Sequence, residues 1–139
     1  MRQLRKGFRA LIEPEGESQD PNEAIKRNIG LILNSRSTLG IEEYLDDDRI
    51  LTVLEFGIPD FQQKNLRDEN ILQQFCASVT KAIQYFEPRI SDVAVESDKS
   101  TSSGPIRLFI ICKFNKSTIH INLIFSNTLW KVEDLEKVS

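Results

Sequence analysis

A chain of 139 residues with 40% hydrophobic and 28% charged side chains can bury one core, and its composition is ordinary for a globular domain. A net charge of −3 gives no bulk attraction for nucleic acid or a membrane surface, and no apolar run reaches the length a bilayer requires. Two cysteines, Cys76 and Cys112, fall at apolar positions and read as buried thiols of a reducing compartment; a disulfide is possible but unsupported, and a cytoplasmic location is expected.

The first residues, MRQLRKGFRA, carry Arg2, Arg5, Lys6 and Arg9 without the apolar block of a secretory signal. The acidic, turn-rich EPEGESQDP follows. Residues 1–20 are therefore expected to be an arm, either solvated or ordered only on a partner, ahead of a single domain over residues 21–139. Asp20 as cap, Pro21 at the first helical position and Glu23 at the third announce a helix. Ile25, Ile29, Ile32 and Leu33 form its apolar stripe, with Gly40 a plausible stop. Asn34 and Arg36 fall off that stripe, where polar groups usually meet water or cap carbonyls.

Residues 41–49 hold Glu42, Glu43, Asp46, Asp47 and Asp48, whose spacing fits no calcium loop and reads as a solvated connector. Thr52 then caps a short turn that Gly57 can end and Pro59 prevents from resuming. Val53, Leu54, Phe56, Ile58 and Phe61 are expected to pin this corner onto the core. Asn65 or Asp68 opens a long helix whose Leu72, Phe75, Val79, Ile83 and Phe86 recur at intervals of three and four. Pro88 stops it near Phe86 or Glu87, leaving Glu87-Pro88-Arg89 as a charged corner.

Beyond the corner the period becomes two. Val93 and Val95 alternate with Asp92, Ala94 and Glu96, and residues 97–105 read as a turn region. Residues 106–114 are apolar on both faces, which suggests a central strand covered on both sides. Asn115-Lys116-Ser117 makes a hairpin loop, residues 118–126 alternate again, and the tail from Asn127 fits either a strand or a docking helix. The pattern specifies an α+β domain with N-terminal helices packed on a C-terminal antiparallel β-meander whose sheet edge is available for strand addition.

Catalytic signatures are thin. His120 is the only histidine, and no phosphate-cradling glycine loop, nucleophile elbow or CxxC occurs. A carboxylate pair, Glu87 with Asp92 or Glu96, would suit a peptidoglycan hydrolase of lysozyme type, but Arg89 stands ready to pair with Glu87, which does not suit a proton donor. No enzyme, no cofactor and no metal site are expected.

Three segments in order carry a likeness: Leu33-Asn34-Ser35-Arg36, residues 52–60 (TVLEFGIPD), and Glu87-Pro88-Arg89 at the close of the long helix. Together, over roughly residues 22–126, they resemble the baseplate wedge family of contractile injection machines. The nearest form is the type VI secretion subunit TssE, alongside its contractile-phage, lysozyme-like wedge counterparts. Ser35 stands where threonine is common, Thr52 where serine is common, and the acidic stretch before Thr52 is less usual. The resemblance implies a non-enzymatic structural subunit that links wedge subunits to the first sheath ring and templates sheath assembly. It further implies contacts with the wedge core bundle, the sheath and the neighbourhood of the hub, six copies per baseplate, and no nucleic acid or membrane insertion. The assembled baseplate would dock at the inner-membrane side of the apparatus. Partner-binding roles then fall on Glu87, Pro88, Arg89, Asn34, Arg36, Gly57, Pro59 and Asp60. The alternatives are the hydrolase above and a generic protein-interaction adaptor whose Glu87–Arg89 pair only braces its own fold.

Overall fold

The computed structural model describes residues 20–98, 104–126 and 128–138. The expected arm before Asp20 and the middle of the 97–105 turn region lie outside these residues. Helix α1, Pro21–Leu33, begins where the sequence announces it: the Asp20 carboxylate accepts the Asn22 amide at 3.0 Å and Pro21 takes the first position. Ile25, Ile29, Ile32 and Leu33 are buried, each contributing roughly 1.5–3 kcal/mol of apolar burial.

Gly40 proves to be a start rather than a stop. It precedes a four-residue helix α2, Ile41–Tyr44, inside the stretch expected to be a connector. The reason is apolar spacing hidden among the acids: Tyr44 is buried, and Ile41 and Leu45 pack against the core. After a 3₁₀ turn at Val53–Glu55, the long helix α3, Glu69–Phe86, opens with Asp68 accepting from the amides of Asn70 and Ile71. Phe75, Val79, Ala82, Ile83 and Phe86 form its buried face, with Leu72 half-buried.

Four antiparallel strands follow in the spatial order of the chain: β1, Ser91–Ser97; β2, Ile106–Phe114; β3, Ser117–Ser126; and β4, Leu129–Lys137. The ambiguous tail is therefore a strand. The β2–β3 turn needs only two residues, because Phe114 pairs with Ser117. Asn115 and Lys116 both take positive φ (50 and 68°), the mirror-image turn whose twist matches the flanking strands.

The expectation that β2 is covered on both sides is corrected. Leu108, Ile110 and Cys112 are buried while Arg107, Phe109 and Ile111 are half-buried, so helices cover one face. Neighbouring side chains shield the other face, as where Phe109 stacks on His120 at 6.5 Å. Helix α3 lies on β1 and α1 on β4. The core closes between them, with Phe75 stacked on Trp130 at 5.3 Å. The outer edges of β1 and β4 carry no further strand among the described residues, which leaves backbone groups open to strand addition. No helix among them is long and apolar enough to cross a membrane.

Candidate functional site

Helix α3 ends because Pro88 forbids continuation, and Glu87 caps it, its amide still bonded to Ile83 O at 2.9 Å. That geometry turns the Glu87 side chain inward to complete burial. Its Oε1 receives Arg89 Nη2 at 2.8 Å and Asn28 Nδ2 at 3.1 Å. Its Oε2 receives Arg89 Nε at 3.0 Å and the Arg89 amide at 2.9 Å. Four donors thus surround one carboxylate, and the arginine grips it side-on. Asn28 also donates to Phe86 O at 2.9 Å, and Arg89 Nη2 reaches Ala24 O, so the corner is tied to α1 at two levels. Beyond the corner, Asp92 takes φ 52° at the bulge that starts β1. Below it lies β2: burial first, and the Glu87 charge second, push the Cys112 thiol up to about 11.

The other two motifs meet at the far end of α1. Residues 35–37 run parallel to residue 58, with Ile58 N bonded to Ser35 O at 3.1 Å and Ser37 N to Ile58 O at 2.8 Å. Gly57 makes this approach possible. Its φ is +107°, and a Cβ there would sit 2.5 Å from Ser35 O. Tyr44 locks the arrangement by donating its hydroxyl to Gly57 O at 2.6 Å, and burial raises that phenol well above its ordinary pKa. Phe56 then meets Phe86 edge-on at 5.1 Å, bringing the second motif against the third.

Asn34 does more than the sequence suggests: it donates to Trp130 O and accepts from Trp130 N, both at 2.9 Å, stitching α1 to β4. Arg36 caps carbonyls, those of Leu33 and Ser35, as its position near a helix end leads one to expect. Pro59 is buried, whereas Asp60 is exposed and accepts the Gln62 amide. A hollow of about 310 Å³ opens beside Arg36 and Pro59, with Phe61, Phe75, Phe125 and Trp130 in its walls.

Two corrections follow from this geometry. Val53 and Leu54 do not pin the corner to the core; they are 38% and 79% exposed, while Ile58 and Phe61 are buried as expected and Leu51 is buried with them. The 3₁₀ turn fixes this outcome, because Thr52 and Glu55 close a capping box that aims the two residues between them outward. Glu87 also has no surface with which to reach a sugar, which removes the acid of the hydrolase alternative. The cysteines are free, Cys112 buried and Cys76 half-buried. Asn28, Tyr44 and Trp130 were not anticipated as parts of the site. Only Asn28 left a signal, a polar side chain one turn from Ile25 and Ile32 on an otherwise apolar stripe.

A helical layer on an open antiparallel sheet, with its polar motifs bonded into its own corners, defines an α+β domain with free sheet edges. The chain belongs to the family of the baseplate wedge protein gp25, whose family model matches residues 19–118. It is also similar to the anti-adapter protein IraD of Salmonella arizonae, 26% identical over 125 residues, spanning 88% of this chain and 90% of that protein. IraD of Salmonella choleraesuis is 24% identical across 83% of this chain and 87% of its own length. The Escherichia coli O45:K1 protein of that name is 27% identical over 63% and 68% respectively. No solved structure gives a significant match. The family's description, a baseplate wedge protein, and the relatives' description, an anti-adapter protein, both suggest a structural or regulatory role.

Proposed function

We propose that the protein is a structural subunit of the baseplate of a contractile injection machine, of the type VI secretion kind, in the position TssE occupies. It joins wedge subunits to the first sheath ring and templates sheath assembly, in six copies, from the cytoplasm, in a baseplate docked at the inner-membrane side. The observation that carries this reading is the match to the baseplate wedge family across residues 19–118, a span containing all three motifs. The free edges of β1 and β4 support it, since a sheath strand can add there. Each backbone hydrogen bond contributes only about 1 kcal/mol net, so a durable anchor needs several.

In this reading Pro88 and the partly exposed Arg89 face the wedge core bundle, while buried Glu87 orients Arg89 from behind. Asn34, Arg36, Gly57, Pro59 and Asp60 frame the second contact, beside the aromatic hollow. The test is deletion of the gene in cells carrying a fluorescent sheath subunit. Sheaths should vanish and return with the wild-type gene; normal sheaths in the deletion strain would overturn the reading.

A second reading is favoured by one observation: the similarity to IraD runs nearly end to end in both chains. In that reading the same scaffold binds an adaptor protein and opposes it. Intact sheaths in the deletion strain, together with an altered adaptor-dependent process, would be its signature.

A further inference from the structure

Among the described residues, seven large hydrophobic side chains are exposed, and three of them, Ile50 (69%), Val53 and Leu54 (79%), fall within five consecutive positions. Scattered singly, such residues need no explanation; concentrated on one short segment they mark a contact surface. This segment is also held rigid. Glu55 Oε1 accepts from Thr52 N at 2.9 Å and Thr52 Oγ1 at 3.0 Å, Thr52 Oγ1 accepts the Leu54 amide at 3.2 Å, and Leu51 is buried beneath. On its far side, Phe56 against Phe86 and Tyr44 on Gly57 anchor the chain to the core. The apolar side chains are therefore presented on a preformed frame, which lowers the ordering cost of binding.

Their surroundings state what can cover them. Glu42, Glu43, Asp46, Asp47 and Asp48 are all exposed on the approach to Ile50. Two cations interrupt this border: Lys81, whose Nζ donates to Asp46 O at 2.9 Å, and Arg49, whose charge adds to the Thr52 hydrogen bonds that hold the Glu55 carboxyl below its usual pKa; the five carboxylates and Glu55 outnumber them. We infer that residues 50–55 form a docking knob for a second protein that offers an apolar hollow bordered by lysine or arginine side chains. Two copies meeting knob to knob would bring their acidic borders together, and a copy offering the hollow beside Arg36 and Lys64 is the competing occupant that the crosslink must exclude. This goes beyond the proposed role, which places its second contact on Gly57, Pro59 and Asp60 of the motif at residues 52–60 and gives the side chains of residues 50–55 no partner.

The test places the photo-crosslinking residue p-benzoylphenylalanine at Leu54 of the full-length protein in its native cell, with a control at exposed Gln73. The expected result is a protein crosslinked from position 54 and not from 73. Once purified, that protein should bind the wild-type chain with an affinity that falls as salt rises. Leu54→Asp should weaken the binding at least tenfold and Ile50→Ser several-fold, with melting temperatures close to wild type because both positions are solvated. A crosslink no stronger than the control, a crosslink joining two copies of this chain, or a partner indifferent to Leu54→Asp would each overturn the inference. Its failure is separable from that of the baseplate reading. Sheaths that need the protein while position 54 captures nothing sink only the knob, and a salt-sensitive partner at 54 with sheaths intact sinks only the baseplate role.

Discussion

Glu87 carries a charge with no exposed surface, so whatever neutralises it must come from the chain itself. Arg89 supplies most of that, from a side chain only 12% exposed. Removing it by Arg89→Ala strands the carboxylate and should lower unfolding free energy by about 3–5 kcal/mol, read as an earlier urea midpoint. Gly57 is constrained differently, by backbone conformation and by space at once. Gly57→Ala should cost roughly 2–5 kcal/mol in the same assay, because a Cβ at that φ meets the Ser35 carbonyl. The thiols set an alkaline limit. Burial pushes Cys76 and Cys112 up to about 11, above their ordinary value of 9.0. The folded state therefore holds these protons more tightly than the unfolded chain does. Their contribution is complete below about pH 9 and is lost as pH climbs through 11. The urea midpoint should fall across that window, and less steeply in a Cys76→Ala/Cys112→Ala protein.

At the scale of elements, the sequence was legible wherever a boundary is set by local chemistry. Asp20, Thr52 and Asp68 cap their helices or turns, and Pro88 ends α3, because each acts on amides or a carbonyl within one turn of itself. Alternation was legible in β3, where successive side chains point to opposite faces, but in β2 apolar residues on both faces hid which one the helices cover. What could not be read was partnership over distance. Asn34 looked like a solvated helix end, yet it bonds the backbone of Trp130 from 96 positions away. Tyr44 hid among acidic neighbours, and β4 was blurred because an edge strand places Glu133, Asp134 and Glu136 among its apolar residues. Val53 and Leu54 misled in the opposite sense: periodicity marks a side chain as apolar, and only the closed capping box decides that it points to water. The Asn34 stitch is testable. Asn34→Ala deletes both bonds and leaves β4 backbone groups unpaired, so stability should drop by about 1–3 kcal/mol. Trp130 is the only tryptophan, so its fluorescence reports directly on whether β4 loosens from α1.

For the whole molecule, the difficulty is that an internal brace and a joint between molecules use the same residues. Loss of sheaths in an Arg89→Ala strain would fit either, since a destabilised subunit also fails to assemble. A double substitution separates them. Replacing a buried ion pair by apolar groups of similar size is often close to neutral, because neither partner is left charged and alone. Glu87→Leu/Arg89→Met should therefore recover most of the stability lost in Arg89→Ala, with Asn28 keeping its bond to Phe86 O. If Arg89 is also read by the wedge core bundle, as proposed, the double variant will melt near wild type and still form no sheaths. A double variant that both folds and builds sheaths would reduce the corner to a brace, and would move the search for the wedge contact to Asp60 and the aromatic hollow.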